Sequence, residues 1–401
     1  MISRRTVLIA WEHGAGMGHI HLLAPIATAL AGQGFRLVFV LRSLDGTDAL
    51  AGAMPQAIFR RAPRWRSAPA PLGTASSLAA TYADVLWRCG YDSPDSLRPI
   101  VGAWRKILDD VQPSLLLCDH SPGAILAAAG RVPIVNIGTG FSTPPVGQAF
   151  FPLFPPALAG AAEREAQVLA AIHDVQTHFG GPSPKTVSGL LGFAENFTCC
   201  LPELDPYRSV RPEPALGPVQ TLPAFHAQTP SAVPFIFGYL NRQDHRIADV
   251  LRSLVRSRIS CGIYIRHRRP EWEQLVAGST VRLYDEPQSL PTILPTATAV
   301  LHHGGLATAE TALAAGRPQF LLPFHLEQLL TSDAVQRAGC GLNLSRHPGD
   351  VGAQIRAALA DGTMAVSAAV MARQIAARPQ ADAKARIVAA CRRHLSSPVR
   401  S

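Results

Sequence analysis

Two stretches of this chain concentrate side chains suited to binding anions or moving protons. The first is the turn His13-Gly14-Ala15-Gly16-Met17-Gly18-His19, set between an apolar run and a helical pattern. A glycine-rich turn of this kind brings backbone N–H groups and a helix N-terminus toward an anion. Its spacing is Gly-x-Gly-x-Gly, and the ribose-binding acid expected about 20 residues further on has only Asp45 as a candidate, so a nicotinamide cofactor is disfavoured. Its distinctive member is His19, at the mouth of the turn, where an imidazole is placed to face a cleft. The competing role, a capping or buried structural histidine, fits His13 and His21 better.

The second stretch runs from Asp285 to Gln328: Pro287-Gln288, an apolar run, His302-His303-Gly304-Gly305, Thr308, Gly316-Arg317-Pro318, and finally Glu327-Gln328. A histidine and two glycines between a buried strand and a helix gather an imidazole and unpaired backbone N–H groups around one spot. That is the chemistry of a diphosphate cradle.

The elements that must hold these residues follow from periodicity. Residues 6–11 read as a buried parallel strand, 20–32 as a helix with Leu22, Leu23, Ile26, Ala27 and Leu30 on one face, and 35–41 as a second strand. The same alternation continues with a strand at 113–118, a helix at 121–130 and a strand at 132–137. It restarts with strands at 235–239, 261–266 and 280–284 and a helix at 247–256. Strands at 299–302 and 320–323 then alternate with helices at 306–315 and 326–339, and helices at 351–374 and 381–395 close the chain. Strand–helix–strand units require parallel sheets covered on both faces. Prolines crowd residues 201–234, and neither periodicity persists there, which marks a linker.

At 401 residues the chain exceeds what one core accommodates, so two domains are expected. A hydrophobic fraction of 47% with only 16% charged residues excludes intrinsic disorder. The formal charge, 37 minus 28 or +9, permits an anionic partner, but no run of five basic residues supports nucleic acid. Three of the basic residues are lysine and 34 are arginine, a bias that base composition of the genome explains without function. Seven scattered cysteines with no Cys-x-x-Cys spacing argue against a disulfide framework or cysteine zinc site and fit a reducing compartment. No apolar stretch reaches about 18 residues and the N-terminal run is too short for a signal peptide, so a cytoplasmic protein is expected.

The motifs together resemble the family 1 glycosyltransferases of GT-B fold, in their bacterial branch, and more distantly the MurG-like transferases. The segments that carry the likeness are 18-GHIHLLAPIATALAGQGFRLVFV-40 and 301-LHHGGLATAETALAAGRPQFLLPFHLEQ-328. The resemblance implies an α/β chain with two facing Rossmann-like parallel-sheet domains and an interdomain cleft. Its parts are an acceptor-binding domain at 1–220, a linker at 221–233, a nucleotide-sugar domain at 234–375, and a C-terminal helical segment at 376–401 expected to pack back toward the first domain. It implies that His19 is the catalytic base and that Asp119 orients it, although Asp119 also suits an N-cap of the following helix. His303, Gly304, Gly305 and Thr308 match the diphosphate grip, and Glu327 and Gln328 the pair that holds the sugar hydroxyls.

The match departs from the family at the base site. The stacking tryptophan of plant-like members is replaced by Asp285, leaving Tyr284, Pro287 and Gln288 as the nucleoside-binding candidates. The ribose-binding glutamate position is Thr311, with Glu310 one residue early, and the loop after the first strand of the second domain reads Leu240-Asn241-Arg242, where Arg242 offers a phosphate contact. UDP and TDP both remain open as donor nucleotides.

The implied reaction is inverting, metal-independent sugar transfer from a nucleotide-diphosphate sugar to a hydroxyl of a hydrophobic acceptor, with no cofactor beyond that co-substrate. No Asp-x-Asp pair or metal-ligand cluster occurs in the sequence. Trp65, Trp87, Trp104 and Phe141, with the Phe/Pro-rich loop at 140–156, point to an aromatic acceptor pocket, Trp87 and Phe141 foremost. Two other readings stand beside this one: a membrane-associated MurG-like transferase with a lipid-like acceptor, for which peripheral membrane contact stays open, and a non-catalytic nucleotide-sugar-binding partner protein. The oligomeric state is not legible.

Overall fold

The computed structural model describes residues 5–14, 16–65, 79–148, 160–225, 234–347, 349–378 and 382–396. The chain divides into two units: the described residues up to 220 together with the helix Ala383–Ser396, and the residues from 221 to the end of the helix Thr363–Ala377.

The first unit holds a six-stranded parallel sheet of β1 (Thr6–Trp11), β2 (Arg36–Leu41), β3 (Ile58–Arg61), β4 (Leu115–Asp119), β5 (Ile134–Gly138) and β6 (Glu195–Thr198), in the order β3-β2-β1-β4-β5-β6. β1 is apolar from Val7 onward because both of its faces are covered: Leu8 and Ala10 enter one core, and Val7, Ile9 and Trp11 the other. The C-terminal helix Ala383–Ser396 completes the second of these cores with Ile387, Cys391 and Leu395. Its Arg393 and His394 pair with Glu195 at 2.7 and 2.9 Å.

The second unit repeats the pattern with β7 (Phe235–Asn241), β8 (Ser260–Arg266), β9 (Val281–Tyr284), β10 (Ala299–His302), β11 (Gln319–Leu321) and β12 (Gly341–Asn343), in the order β12-β11-β10-β7-β8-β9. Each sheet therefore reverses its strand order beside its first strand, between β1 and β4 and between β7 and β10. In parallel α/β sheets ligands bind beyond the carboxyl ends of the strands at such a reversal.

The predicted strands and helices all occur, with ends shifted by a few residues except in one case. The single helix expected at 351–374 is two, Val351–Asp361 and Thr363–Ala377, bent by 68° at Gly362, whose φ of +72° ends the first helix. The stretch before Asp119 carries the helices Tyr82–Leu86 and Pro94–Val111. The latter starts at Pro94 with Ser93 capping the Ser96 N–H. The second half of the linker candidate, 226–233, and residues 149–156 of the Phe/Pro-rich loop lie outside the described residues. Among the described residues no single helix is long and apolar enough to cross a membrane, and no group of three metal-ligating side chains occurs. All seven cysteines are buried and unbridged.

Candidate functional site

The reversal in the first sheet carries the His19–Asp119 pair. β1 ends at Trp11, the chain turns through Gly14 (φ +89°) and Gly16 (φ +90°), and the helix Gly18–Gly32 starts with His19 in its first turn. β4, which pairs directly with β1, ends in Asp119. His19 Nδ1 lies 2.6 Å from Asp119 Oδ2. A carboxylate only accepts, so Nδ1 carries the proton. The imidazole is held a second time by stacking on the Trp11 indole, with ring centroids 4.7 Å apart at 21°. Asp119 is fully buried while the His19 side chain keeps 14% exposure.

Asp119 is not the cap of the next helix. The helix Pro122–Ala128 has no side-chain cap from Ser121, and its Gly123 N–H instead donates to Glu12 Oε2 at 2.8 Å, a cap supplied from the end of β1. Glu12 is wholly buried, and desolvation raises its pKa to about 7 against the pull of the Gly123 N–H, the Trp104 indole and Arg42. Beside it His13 donates its backbone N–H to the His120 carbonyl at 2.9 Å, and burial holds the His13 imidazole pKa far below its ordinary value. His120 follows Asp119 with a left-handed backbone, φ +44°, and burial, then the charge of His19, lowers its pKa to about 3. Sequence reasoning set His13 aside as structural and passed over Glu12 and His120. The available signal was two titratable pairs, Glu12-His13 and Asp119-His120, ending adjacent buried strands.

At the reversal in the second sheet His303 follows β10, but its ring is committed to the backbone. Nδ1 donates to the Leu322 carbonyl at 2.8 Å, and Nε2 accepts the Asn241 N–H at 2.8 Å. Burial lowers its pKa, so the ring is neutral with its proton on Nδ1. This corrects the expectation that His303 grips the diphosphate: neither nitrogen is left to donate, and the ring instead ties the ends of β7, β10 and β11 together. Asp244 and Arg246, which the sequence did not single out, reinforce the tie. Arg246 chelates the buried Asp244 carboxylate and donates to the Leu322 and Pro323 carbonyls. Burial raises the Asp244 pKa, but the Arg246 hydrogen bonds and charge outweigh it and the net shift is downward. His302 is a strand-end residue, bonded to Gln319 Oε1 at 2.9 Å and to the Gly304 N–H at 3.1 Å.

The element whose geometry still suits an anion is the start of the helix Leu306–Ala314. Gly304 has φ +85°, and a Cβ there would lie 2.7 Å from the Gln328 carbonyl and 2.4 Å from Ser332 Oγ. Gly305 is open, with nothing within 4 Å of a Cβ, and the part-exposed Thr308 completes the first turn. First-turn N–H groups have no partner inside the helix and carry its positive dipole end. Glu327 and Gln328 open the helix Leu326–Arg337, both half-buried, and Gln328 Oε1 accepts the Phe324 N–H at 3.1 Å, which fixes the amide. Arg242 is exposed at the carboxyl end of β7, while Glu310 is buried on the inner side of its helix and unsuited to a ribose.

Two further expectations change. The Tyr284 ring lies across Gly262 and near Phe237, with centroids 6.2 Å apart, so it packs on the sheet instead of offering a face to a base. Pro287 is exposed, and Gln288 donates to the Glu286 carbonyl. Trp87 sits at the surface with its indole donating to Gln167 at 3.2 Å, and Trp104 is fully buried in the core, so neither joins the groups around His19. Phe141 does, standing edge-on to His120 at 6.1 Å, and so does Trp65, 4.7 Å from His13 and under the Arg42 guanidinium.

Comparison with known proteins bears on the same regions. Residues 258–391 match the family model for the erythromycin biosynthesis protein CIII-like C-terminal domain. The L-demethylnoviosyl transferase of Streptomyces niveus is 25% identical over 367 residues, 86% of each chain. The elloramycin glycosyltransferase of Streptomyces olivaceus is 47% identical over 53 residues, and the chain spans only 14% of that relative's length. Among solved structures, the calicheamicin glycosyltransferase CalG4 superposes with a TM-score of 0.70 at 19% identity, covering 99% of this chain and 100% of the other. The glycosyltransferase VinC in complex with dTDP does so with a TM-score of 0.65 at 16% identity, covering 97% and 100%. By fold the chain is of the GT-B type, and its residues 258–391 match the EryCIII-like C-terminal domain.

Proposed function

We propose that this protein transfers a sugar from a thymidine-diphosphate sugar to a hydroxyl of a hydrophobic small molecule, with inversion at the anomeric carbon and without a metal ion. The observation that carries the reading is the His19–Asp119 pair at 2.6 Å. His19 Nε2 takes the acceptor proton as the oxygen attacks the anomeric carbon, and Asp119 holds the ring and stabilises the imidazolium that forms. The bond to the diphosphate breaks in the same step, and the leaving group is stabilised by the N–H groups at the start of the helix Leu306–Ala314, with Thr308 and Arg242 as further donors. Glu327 and the Gln328 amide meet the sugar hydroxyls. Thymidine is favoured over uridine by the dTDP in the VinC structure. A non-catalytic nucleotide-sugar-binding role is disfavoured because such a protein has no use for an oriented imidazole.

The test is mass spectrometry of reactions pairing TDP- and UDP-sugars with phenolic acceptors, repeated in EDTA, with the anomeric configuration of product and donor compared by NMR. Transfer with inversion, undiminished by EDTA, is expected. His19→Ala should lose about 10² to 10⁴-fold in turnover, and full turnover by that variant would sink the assignment.

A further inference from the structure

The buried polar groups behind His19 are more numerous than its own chemistry uses. Both ring nitrogens of His13, the Tyr91 hydroxyl and His120 Nε2 are buried and have no hydrogen-bond partner among the described residues, His13 Nε2 standing 3.8 Å from Glu12 Oε1. They are neighbours: His13 lies 5.6 Å from His120 and 6.0 Å from Tyr91, ring centre to ring centre, and His120 lies 6.3 Å from His19. Buried polar atoms are normally paired, and each one left unpaired carries its full desolvation cost. A concentration of them beside the base is a set of donors and acceptors placed to meet the polar atoms of a ligand.

His120 adds a second, independent observation. Its φ of +44° is a conformation that glycine or asparagine adopts at less cost, yet the position carries an imidazole walled by His13, His19 and Phe141. Its neutral ring donates from one nitrogen and accepts at the other, so it pairs with a hydroxyl or a carbonyl alike. The surrounding rings, Trp65, Tyr91 and Phe141, suit a flat aromatic body.

We infer that His120, backed by His13 and Tyr91, is a specificity-determining subsite that hydrogen-bonds a second oxygen of an aromatic acceptor, one carried on a carbon next to the hydroxyl that His19 deprotonates. Acceptors with vicinal oxygens are then preferred over mono-hydroxylated ones of the same shape. This rests on the transferase reading above.

The experiment compares 2-naphthol with 2,3-dihydroxynaphthalene as acceptors for the wild-type protein, His120→Gly and His120→Asn, with thermal melting of each to confirm folding. Glycine and asparagine both tolerate the backbone, so a purely structural role for the ring predicts a change in melting and none in the ratio of kcat/KM values. The subsite predicts a wild-type ratio of about tenfold or more in favour of the diol. It also predicts collapse toward about two, the statistical factor for two hydroxyls, in both variants. Transfer to both acceptors without preference, or a preference that survives in both variants, overturns the inference. Transfer to neither, from any TDP- or UDP-sugar tried, counts instead against the transferase reading itself.

Discussion

The sharpest consequence of the geometry concerns Gly14. A Cβ built on it would lie 2.3 Å from His19 Nε2 and 3.0 Å from Cε1. Ordinary contact begins near 3.4 Å, so in Gly14→Ala the imidazole must retreat by roughly 1 Å. The ring has no easy retreat, since Asp119 holds one edge and Trp11 one face. A displacement of that size at a reacting nitrogen costs on the order of 10²-fold in rate. Gly14 also sits at φ +89°, where a side chain costs about 1 to 2 kcal/mol regardless of space. Gly16 separates the two effects: its φ is +90°, and nothing lies within 4 Å of its Cβ. Both alanine variants should melt a few degrees lower, but only Gly14→Ala should lose about 10²-fold in kcat, with TDP affinity by calorimetry unchanged in each. Turnover of Gly14→Ala within threefold of Gly16→Ala would refute the claim that His19 Nε2, in this position, is the reacting atom.

Asp119→Asn keeps the shape of the pair but not its charge, and turnover should fall by about 10² to 10⁴-fold with TDP binding intact. Gly304→Ala meets the Gln328 carbonyl, which cannot yield, so TDP affinity should drop at least about tenfold along with the melting temperature, whereas Gly305→Ala should fold as the parent does. Glu12, raised to about 7 by burial, stays protonated in the folded protein where the unfolded chain has already released its proton. Its contribution is therefore full below pH 4.5 and lost as the pH rises through 7, on the order of 3 kcal/mol. Glu12→Gln should melt above the parent at pH 8 and show no such advantage at pH 4.5. Burial depresses the pKa of His302 to about 4, which gives the opposite slope: that stability is complete above pH 6.5 and is lost as the pH falls toward 4. Only the difference between parent and variant melting curves isolates Glu12.

The sheets were legible because their strands are buried on both faces and read as unbroken apolar runs, as in Thr6–Trp11 and Ala299–His302. Three of the four edge strands were not: Ile58–Arg61, Glu195–Thr198 and Gly341–Asn343 are short and largely polar, whereas the edge strand Val281–Tyr284 was visible. Histidines at strand ends were visible as candidates, but which ring nitrogen is already spent depends on partners far along the chain. His303 is bound by Asn241 and Leu322, and Glu12 caps a helix 111 residues away. Tyr284 was misplaced for a related reason, since the vacancy its ring fills is made by Gly262 on the neighbouring strand.

The two sheets share one strand order, and each places a residue pair across its reversal, yet they use the pair differently. In the first unit the pair is His19 and Asp119, two side chains, and the His19 side chain keeps part of its surface exposed. In the second it is Asn241 and His303, a backbone N–H and a side chain, and it closes on itself. The proposed proton transfer requires a partly exposed titratable group, and His19 is one. The second unit uses its histidine to tie strand ends together, and the helix start at Gly305 has room for a Cβ; fixed dipoles there are all that the proposed anion binding requires. His303→Gln, able to accept the Asn241 N–H but not to hold both strand ends as a ring does, should therefore weaken TDP binding through mobility of the cradle. That loss should stay the same from pH 6 to pH 9, because no charge on His303 is involved. A TDP affinity of the parent that rises as His303 is protonated, and a variant lacking that rise, would restore the imidazole as a direct phosphate ligand.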